Sequence, residues 1–261
     1  MMRLGVIGGT GLIEMSLDDR LSTEGISLIR RDDVCVTTPY GDVPLTCLQL
    51  DVRGTTKEVI FLQRHHNSSG YGCPPHRINH RANMHAMNDA RVDGVMAVCS
   101  VGAIDSTFPP GKVALADQYV DFTGVESTFH HEESVFTSVT VPFDPDLNEQ
   151  LESILRKTQG FSENERMNYT YWLTQGPQFE TPAEVNAIEQ LGGAMVGMTM
   201  PREVKLANEL NLPYSAVCIS SNWAAGREPG DGSKDLDHAS VSAQANDRLE
   251  PIWACLIGLL N

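Results

Sequence analysis

The chain has 261 residues, is 41% hydrophobic, and carries 34 acidic against 19 basic residues for a formal net charge of −15. That length can bury one large core, and no run approaches the ~20 apolar residues of a membrane span. No basic run exists to neutralise a nucleic-acid backbone, although a small anion can still bind in a pocket whose local field opposes the net charge.

Short β-branched and apolar runs alternate with longer helical patterns, which predicts an α/β fold. In chain order, strands are expected at residues 4–7, 58–62, 94–99, 112–122, 170–174 and 214–219. Helices are expected at 80–88, 147–159, 181–191, 202–209 and 240–260. The helix at 181 opens on Thr181-Pro182-Ala183-Glu184, a capping-box pattern with proline at the first helical position. The last helix carries Leu249, Ile252, Trp253, Leu256 and Leu260 on one side, a stripe suited to covering a sheet. Two stretches rich in turn formers, 66–75 and 226–233, have the length of lids or site rims. Without repeats or linkers, residues 1–261 read as a single domain. The apolar stretch at 1–7 is too short for a signal peptide, so a cytoplasmic location is expected.

Six cysteines (Cys35, Cys47, Cys73, Cys99, Cys218 and Cys255) contain no C-x-x-C pair and read as buried free thiols. His130-His131 beside Glu132-Glu133 is the nearest approach to a metal site. Adjacent residues rarely converge on one ion, so no metal is expected.

Five segments have the composition of a site. Gly8-Gly9-Thr10-Gly11 follows an apolar strand and lacks the Gly-Lys-Ser/Thr of a Walker loop, but its backbone N–H groups could approach an anion. Arg64-His65 closes a strand, where an arginine could fork onto a phosphate; alone, such a pair is more often a salt-bridge feature. Gln175-Gly176-Pro177-Gln178-Phe179-Glu180-Thr181 puts a ring and a carboxylate between a strand and a capped helix, where α/β proteins present ligand groups. Val196-Gly197-Met198-Thr199 precedes a helix carrying Glu203, and Ser220-Ser221-Asn222-Trp223-Ala224-Ala225-Gly226 follows a strand. Each alone is as readily structural.

Together, and in this order, these segments resemble the trimeric nucleoside phosphorylase family, which includes purine nucleoside, methylthioadenosine and bacterial S-methyl-5'-thioinosine phosphorylases. Ile78-Asn79-His80-Arg81-Ala82-Asn83 and Asp117-Gln118 also fall in family order, so the resemblance covers most of the chain. It implies a mixed central sheet flanked by helices in a nucleoside phosphorylase-like α/β domain. It also implies phosphorolysis of a purine nucleoside, with inorganic phosphate as co-substrate, no cofactor, and a homotrimer. Thr10, Arg64, His65 and Thr199 match phosphate contacts, and Cys99 and Ser100 occupy a phosphate-side turn. Met198 matches a residue packing on the ribose and Phe179 one lining the base, with Trp223 beside them in the motif. Asn222 matches the donor to purine N7, and it is expected to be catalytic together with His65.

Donor and acceptor patterns argue for a 6-oxopurine. Asn222 can give an N–H to N7 or O6, while ionised Glu180 can only accept, as from N1–H. Adenine-preferring relatives carry Asp at the positions of Asn222 and Ala224 and lack the Glu matching Glu180. S-methyl-5'-thioinosine is the expected substrate, with inosine or guanosine close behind if His238 places a donor at a 5'-hydroxyl. Adenine-type phosphorolysis of methylthioadenosine, hydrolysis, and a catalytically weak nucleoside-binding protein are the competing readings. The chain departs from the family at His66, at Ser69, in the length of the 64–75 loop, at His80 where Tyr is usual, and at Met200-Pro201-Arg202-Glu203, which shifts the usual Pro-Glu.

Overall fold

The computed structural model describes residues 2–9, 12, 25–67, 72–236 and 249–261. Strand β1 (Arg3–Gly8) runs parallel to both neighbours, β4 (Thr55–Gln63) and β5 (Gly94–Ala103). Strands β2 (Ile26–Thr38) and β3 (Gly41–Val52) extend this half antiparallel beyond β4. On the other side of β5 come β8 (Met195–Gly197), β7 (Asn168–Leu173), β6 (Val113–Asp121) and β9 (Tyr214–Trp223), and β9 pairs back onto β5. The sheet is therefore mixed, and β5, β8, β7, β6 and β9 close into a ring. β5 belongs to both halves, so it is enclosed on every side. Its segment Val95-Met96-Ala97-Val98 is accordingly buried without alternation.

Helices α1 (His80–Asp89), α2 (Pro145–Gln159), α3 (Pro182–Gln190), α4 (Met200–Glu209) and α5 (Leu249–Leu260) flank this sheet. The capping box of α3 is formed: Thr181 Oγ1 accepts from the Glu184 amide, and Glu184 Oε2 accepts from the Thr181 amide at 2.7 Å. α5 packs on α2 so closely that a Cβ on Gly258 would stand 2.5 Å from Ile154 Cδ1.

Several sequence expectations need correction. The β2–β3 hairpin was not expected: β2 is exposed on nearly its whole length, and its apolar residues Leu28, Ile29 and Val34 stand in solvent around the charged run Arg30-Arg31-Asp32-Asp33, so they give no one-sided pattern. Its ladder, not a buried face, makes it a strand. β8 is only three residues long, too short for a periodic signal. β6 ends at Asp121, leaving Phe122 exposed, and α4 begins at Met200 rather than Arg202. Of the six free thiols, only Cys99, Cys218 and Cys255 are buried; Cys35 is exposed, and Cys47 and Cys73 are partly so. Of the helix expected at 240–260, residues 240–248 lie outside the described residues.

Candidate active site

The ends of β1, β4, β8 and β9 and the C-terminal part of β5 open on one cavity. Gly9, Arg64, His65, Ser100, Thr199, Met198, Phe179, Glu180, Asn222 and Ala224 all line it.

β9 delivers Asn222 through an irregularity. Val101 pairs with Ser220 and Gly102 with Asn222, so Ser221 is an extra residue in the β9 strand. Such a bulge re-aims the side chains that follow it. Ser221 Oγ lies 3.1 Å from the Val101 carbonyl and 2.9 Å from Asn222 Oδ1, while Asn222 Nδ2 donates to the Trp223 carbonyl at 2.7 Å. An amide nitrogen carries two hydrogens, so one N–H of Asn222 is left for a ligand.

Glu180 is buried, and Oε1 accepts a 2.5 Å hydrogen bond from Thr174 Oγ1. Burial pushes its carboxyl above the ordinary range, with the Thr174 bond opposing that shift. Thr174 is itself held by its amide on the Gly197 carbonyl at 2.9 Å. Ala224 and Val196 belong to a small apolar cluster with Ile104, Trp172, Val185 and Ile188, which gives this end of the cavity a rigid wall.

Arg64 corrects an expectation. Its guanidinium is not a free fork. Nε donates to Glu203 Oε1 at 2.5 Å and Nη2 to Glu203 Oε2 at 2.9 Å, Nη1 donates to the Val98 carbonyl at 2.8 Å, and Nη2 also reaches Cys99 Sγ at 3.6 Å. One Nη1 N–H remains. Gly9 stands beside it: a Cβ there would lie 2.6 Å from Nη1. Glu203, with no exposed side-chain surface, also accepts from Tyr214 Oη at 2.7 Å. Burial opposes its charge, but the Arg64 guanidinium outweighs that and holds the carboxyl far below the usual range. In the sequence Glu203 stood out only as a helix residue and as part of the shifted Pro-Glu. The signal for its role, a charge on the buried face of an amphipathic helix, needed the helix's orientation to be read.

His65 Nδ1 lies 2.7 Å from the Cys73 carbonyl. A carbonyl only accepts, so Nδ1 carries the hydrogen and Nε2 is left as an acceptor in the neutral ring. Burial lowers the His65 pKa to about 4. At neutral pH the His65 ring therefore offers the cavity an acceptor rather than a donor. Two hydroxyls remain available. Ser100 Oγ is buried without a partner among the described residues, and Thr199, although it is the N-cap of α4, makes no side-chain capping bond.

Cys99 and Ser100 lie inside β5, not on a turn, and Cys99 packs into the core against Arg64 instead of lining the cavity. Trp223 packs partly buried against the main core, and its carbonyl, rather than its ring, supports the site by holding Asn222. Thr10 and His238 lie outside the described residues. Sequence reasoning missed Val101, Gly102 and Leu236 as lining residues and Thr174 behind Glu180. Apolar and small side chains carry no motif signal of their own.

Among the described residues no three His, Cys, Asp or Glu side chains cluster in a way that could hold a metal ion, and no helix is long and apolar enough to cross a membrane.

Comparison with known proteins adds a family. The description "Phosphorylase superfamily" matches residues 3–256. A Methanopyrus kandleri protein named "Probable S-methyl-5'-thioinosine phosphorylase" is 39% identical over 229 residues, covering 87% of this chain and 80% of the relative. The "6-oxopurine nucleoside phosphorylase" of Pyrococcus furiosus is 34% identical over 269 residues, covering 100% of this chain and 92% of the relative. Among solved structures, methylthioadenosine phosphorylase from Schistosoma mansoni in complex with adenine superposes with a TM-score of 0.79 at 22% identity, covering 99% of this chain and 90% of that one.

Proposed function

The chain belongs to the phosphorylase superfamily as an enzyme of the purine nucleoside phosphorylase type, a pentosyltransferase, and from that premise we propose that it cleaves 6-oxopurine nucleosides with phosphate, S-methyl-5'-thioinosine first among them. The observation that carries this reading is the meeting of Glu180 and Asn222 in one cavity, an acceptor already polarised by Thr174 and a donor with one N–H to spare.

Cleavage of the glycosidic bond builds positive charge on the sugar and negative charge on the departing purine. Glu180 accepts N1–H, and Asn222 donates to N7 as the charge develops there. Phosphate is held among the Gly9 backbone, the spare Arg64 N–H, Ser100, Thr199 and His65. The neutral Nε2 of His65 accepts the P–OH hydrogen of monohydrogen phosphate, which orients an oxygen for attack on the anomeric carbon. The products are the free base and an α-pentose 1-phosphate. The methylthio preference is supported by Pro75, Met198 and Leu236, which supply apolar lining. Pro75 and Met198 meet at Gly176, where a Cβ would lie 3.2 Å from Pro75 Cγ and 2.5 Å from Met198 Sδ. A homotrimer is the expected assembly.

The deciding assay offers inosine, guanosine, S-methyl-5'-thioinosine and S-methyl-5'-thioadenosine, each with and without phosphate. Phosphate-dependent release of hypoxanthine, fastest from the thioinosine, is expected. Faster cleavage of the thioadenosine, or cleavage without phosphate, overturns it.

A further inference from the structure

Buried polar groups in folded proteins almost always have partners. Arg202, in the first turn of α4, is an exception: it is 4% exposed, and its Nε and Nη2 have no hydrogen-bond partner among the described residues. Asp121 acts on it electrostatically, but that carboxylate is already taken by Lys205 and by the amide and hydroxyl of Thr123. His80, the first residue of α1, repeats the pattern. It is 6% exposed, its Nδ1 makes only a long 3.6 Å approach to Glu203 Oε1, and Nε2 has no hydrogen-bond partner among the described residues.

Both side chains line the same cleft, of about 340 Å³, and His80 brings it next to the Arg64–Glu203 pair. Its lining includes three arginines, Arg77, Arg81 and Arg202, two histidines, and a single carboxylate, Glu126. Glu126 is held by His131. In a chain of net charge −15 this is a local reversal of sign. Arg77 is exposed and Arg81 half-buried, so they stand toward solvent while Arg202 lies deep. Arg202 and His80 are also two of the places where the sequence departs from the family pattern.

We propose that this cleft is a second anion site, separate from the nucleoside cavity, that takes a small tetrahedral oxyanion such as inorganic phosphate. Arg202 is its deep anchor through Nε and Nη2, a pair of donors whose geometry suits two oxygens of one ligand. Arg77 and Arg81 complete it at the mouth. The two anion sites share no lining residue. They are joined through His80, whose Nδ1 stands 3.6 Å from Oε1 of Glu203, the residue that holds Arg64.

The test uses the full chain and labelled inorganic phosphate in equilibrium dialysis without nucleoside, beside thermal melts with and without phosphate. Wild type is expected to bind two phosphates per chain, and Arg202→Met and Arg202→Gln one each, with phosphorolysis retained within about twofold. In phosphate-free buffer Arg202→Met should melt no lower than wild type, because an unpaired buried guanidinium is a cost to the fold. Phosphate should then raise its Tm less than that of wild type. Equal stoichiometry in wild type and both variants overturns the site. So does loss of turnover together with the lost phosphate, which would make Arg202 part of the nucleoside cavity. A change of oligomeric state on substitution, read by sedimentation, also overturns it, since the occupant is then a carboxylate of a second copy.

Discussion

Thr174 donates its hydroxyl to Oε1 of Glu180 at 2.5 Å, and so engages one oxygen of the carboxylate proposed to meet the base. The bond also opposes the upward push of burial on the Glu180 carboxyl. A hydrogen bond to a charged group contributes roughly 1.5–3 kcal/mol. Thr174→Val should therefore raise KM for the 6-oxopurine nucleoside about tenfold or more. It should also move the acidic limb of kcat/KM to higher pH, because the unsupported carboxyl protonates sooner. A variant with higher KM but an unmoved acidic limb would mean that Thr174 acts on something other than Glu180.

The spare N–H of Asn222 is the group assigned to purine N7. Asn222→Asp replaces that donor with an acceptor, a buried polar mismatch of ~1–3 kcal/mol. Turnover of 6-oxopurine nucleosides should fall roughly tenfold to a hundredfold, with adenosine-type substrates gaining in relative rate. Competition assays with mixed nucleosides read the ratio directly. An unchanged ratio would remove Asn222 from base recognition.

Gly9 lies where any side chain would collide with Arg64: a Cβ would stand 2.6 Å from Nη1 and 3.1 Å from the Val98 carbonyl. Gly9→Ala should raise KM for phosphate at least tenfold while changing KM for the nucleoside little, because the crowding falls on the anion side. Initial-rate kinetics with each substrate varied in turn separates the two. Equal effects on both would place Gly9 elsewhere in the mechanism.

His65, neutral at pH 7 with Nδ1 committed to the Cys73 carbonyl, offers an acceptor to the anion. Monohydrogen phosphate has an O–H to give, and sulfate has none. Sulfate should therefore bind the cavity about tenfold more weakly than phosphate, since two lone pairs would face each other there. Replacing His65 with Gln, which can turn an N–H to either anion, should narrow the gap. Equal inhibition by sulfate in wild type would show that His65 is protonated when the anion binds.

The Arg64–Glu203 pair is a pH-dependent element of stability. Its folded carboxyl sits far below an unfolded glutamate near ~4.3. The unfolded chain therefore takes up the proton first as pH falls. The contribution is complete above roughly pH 5 and declines below ~4.3. Glu203→Gln leaves Arg64 buried without its counter-charge, a loss of about 3–5 kcal/mol. Urea unfolding from neutral to acid pH should find the variant least stable relative to wild type at neutral pH and the difference shrinking in acid. A constant difference would locate the loss in packing.

The α/β class, most strand and helix positions, the capped start of α3 and the set of motifs that mark the family were legible in the chain of residues alone. These are local properties: hydrophobic period, turn chemistry and residue order are written in neighbouring residues. It also carried the base argument, because Glu180 and Asn222 differ in donors and acceptors wherever they stand.

Only the tertiary structure decided which groups are free to act. Arg64, a possible phosphate fork when read alone, is committed to Glu203, 139 positions away. Cys99, read as a phosphate-side residue, belongs to the core, and the bulge at Ser221 that delivers Asn222 exists only because β9 pairs with β5. Hydrogen-bond valence is shared out between distant segments, so the availability of a donor cannot be read from its own neighbourhood. The β2–β3 hairpin was hidden for the same reason. Its outer strand β2 is held by a ladder to β3, and the exposed residues of β2 carry no trace of that pairing.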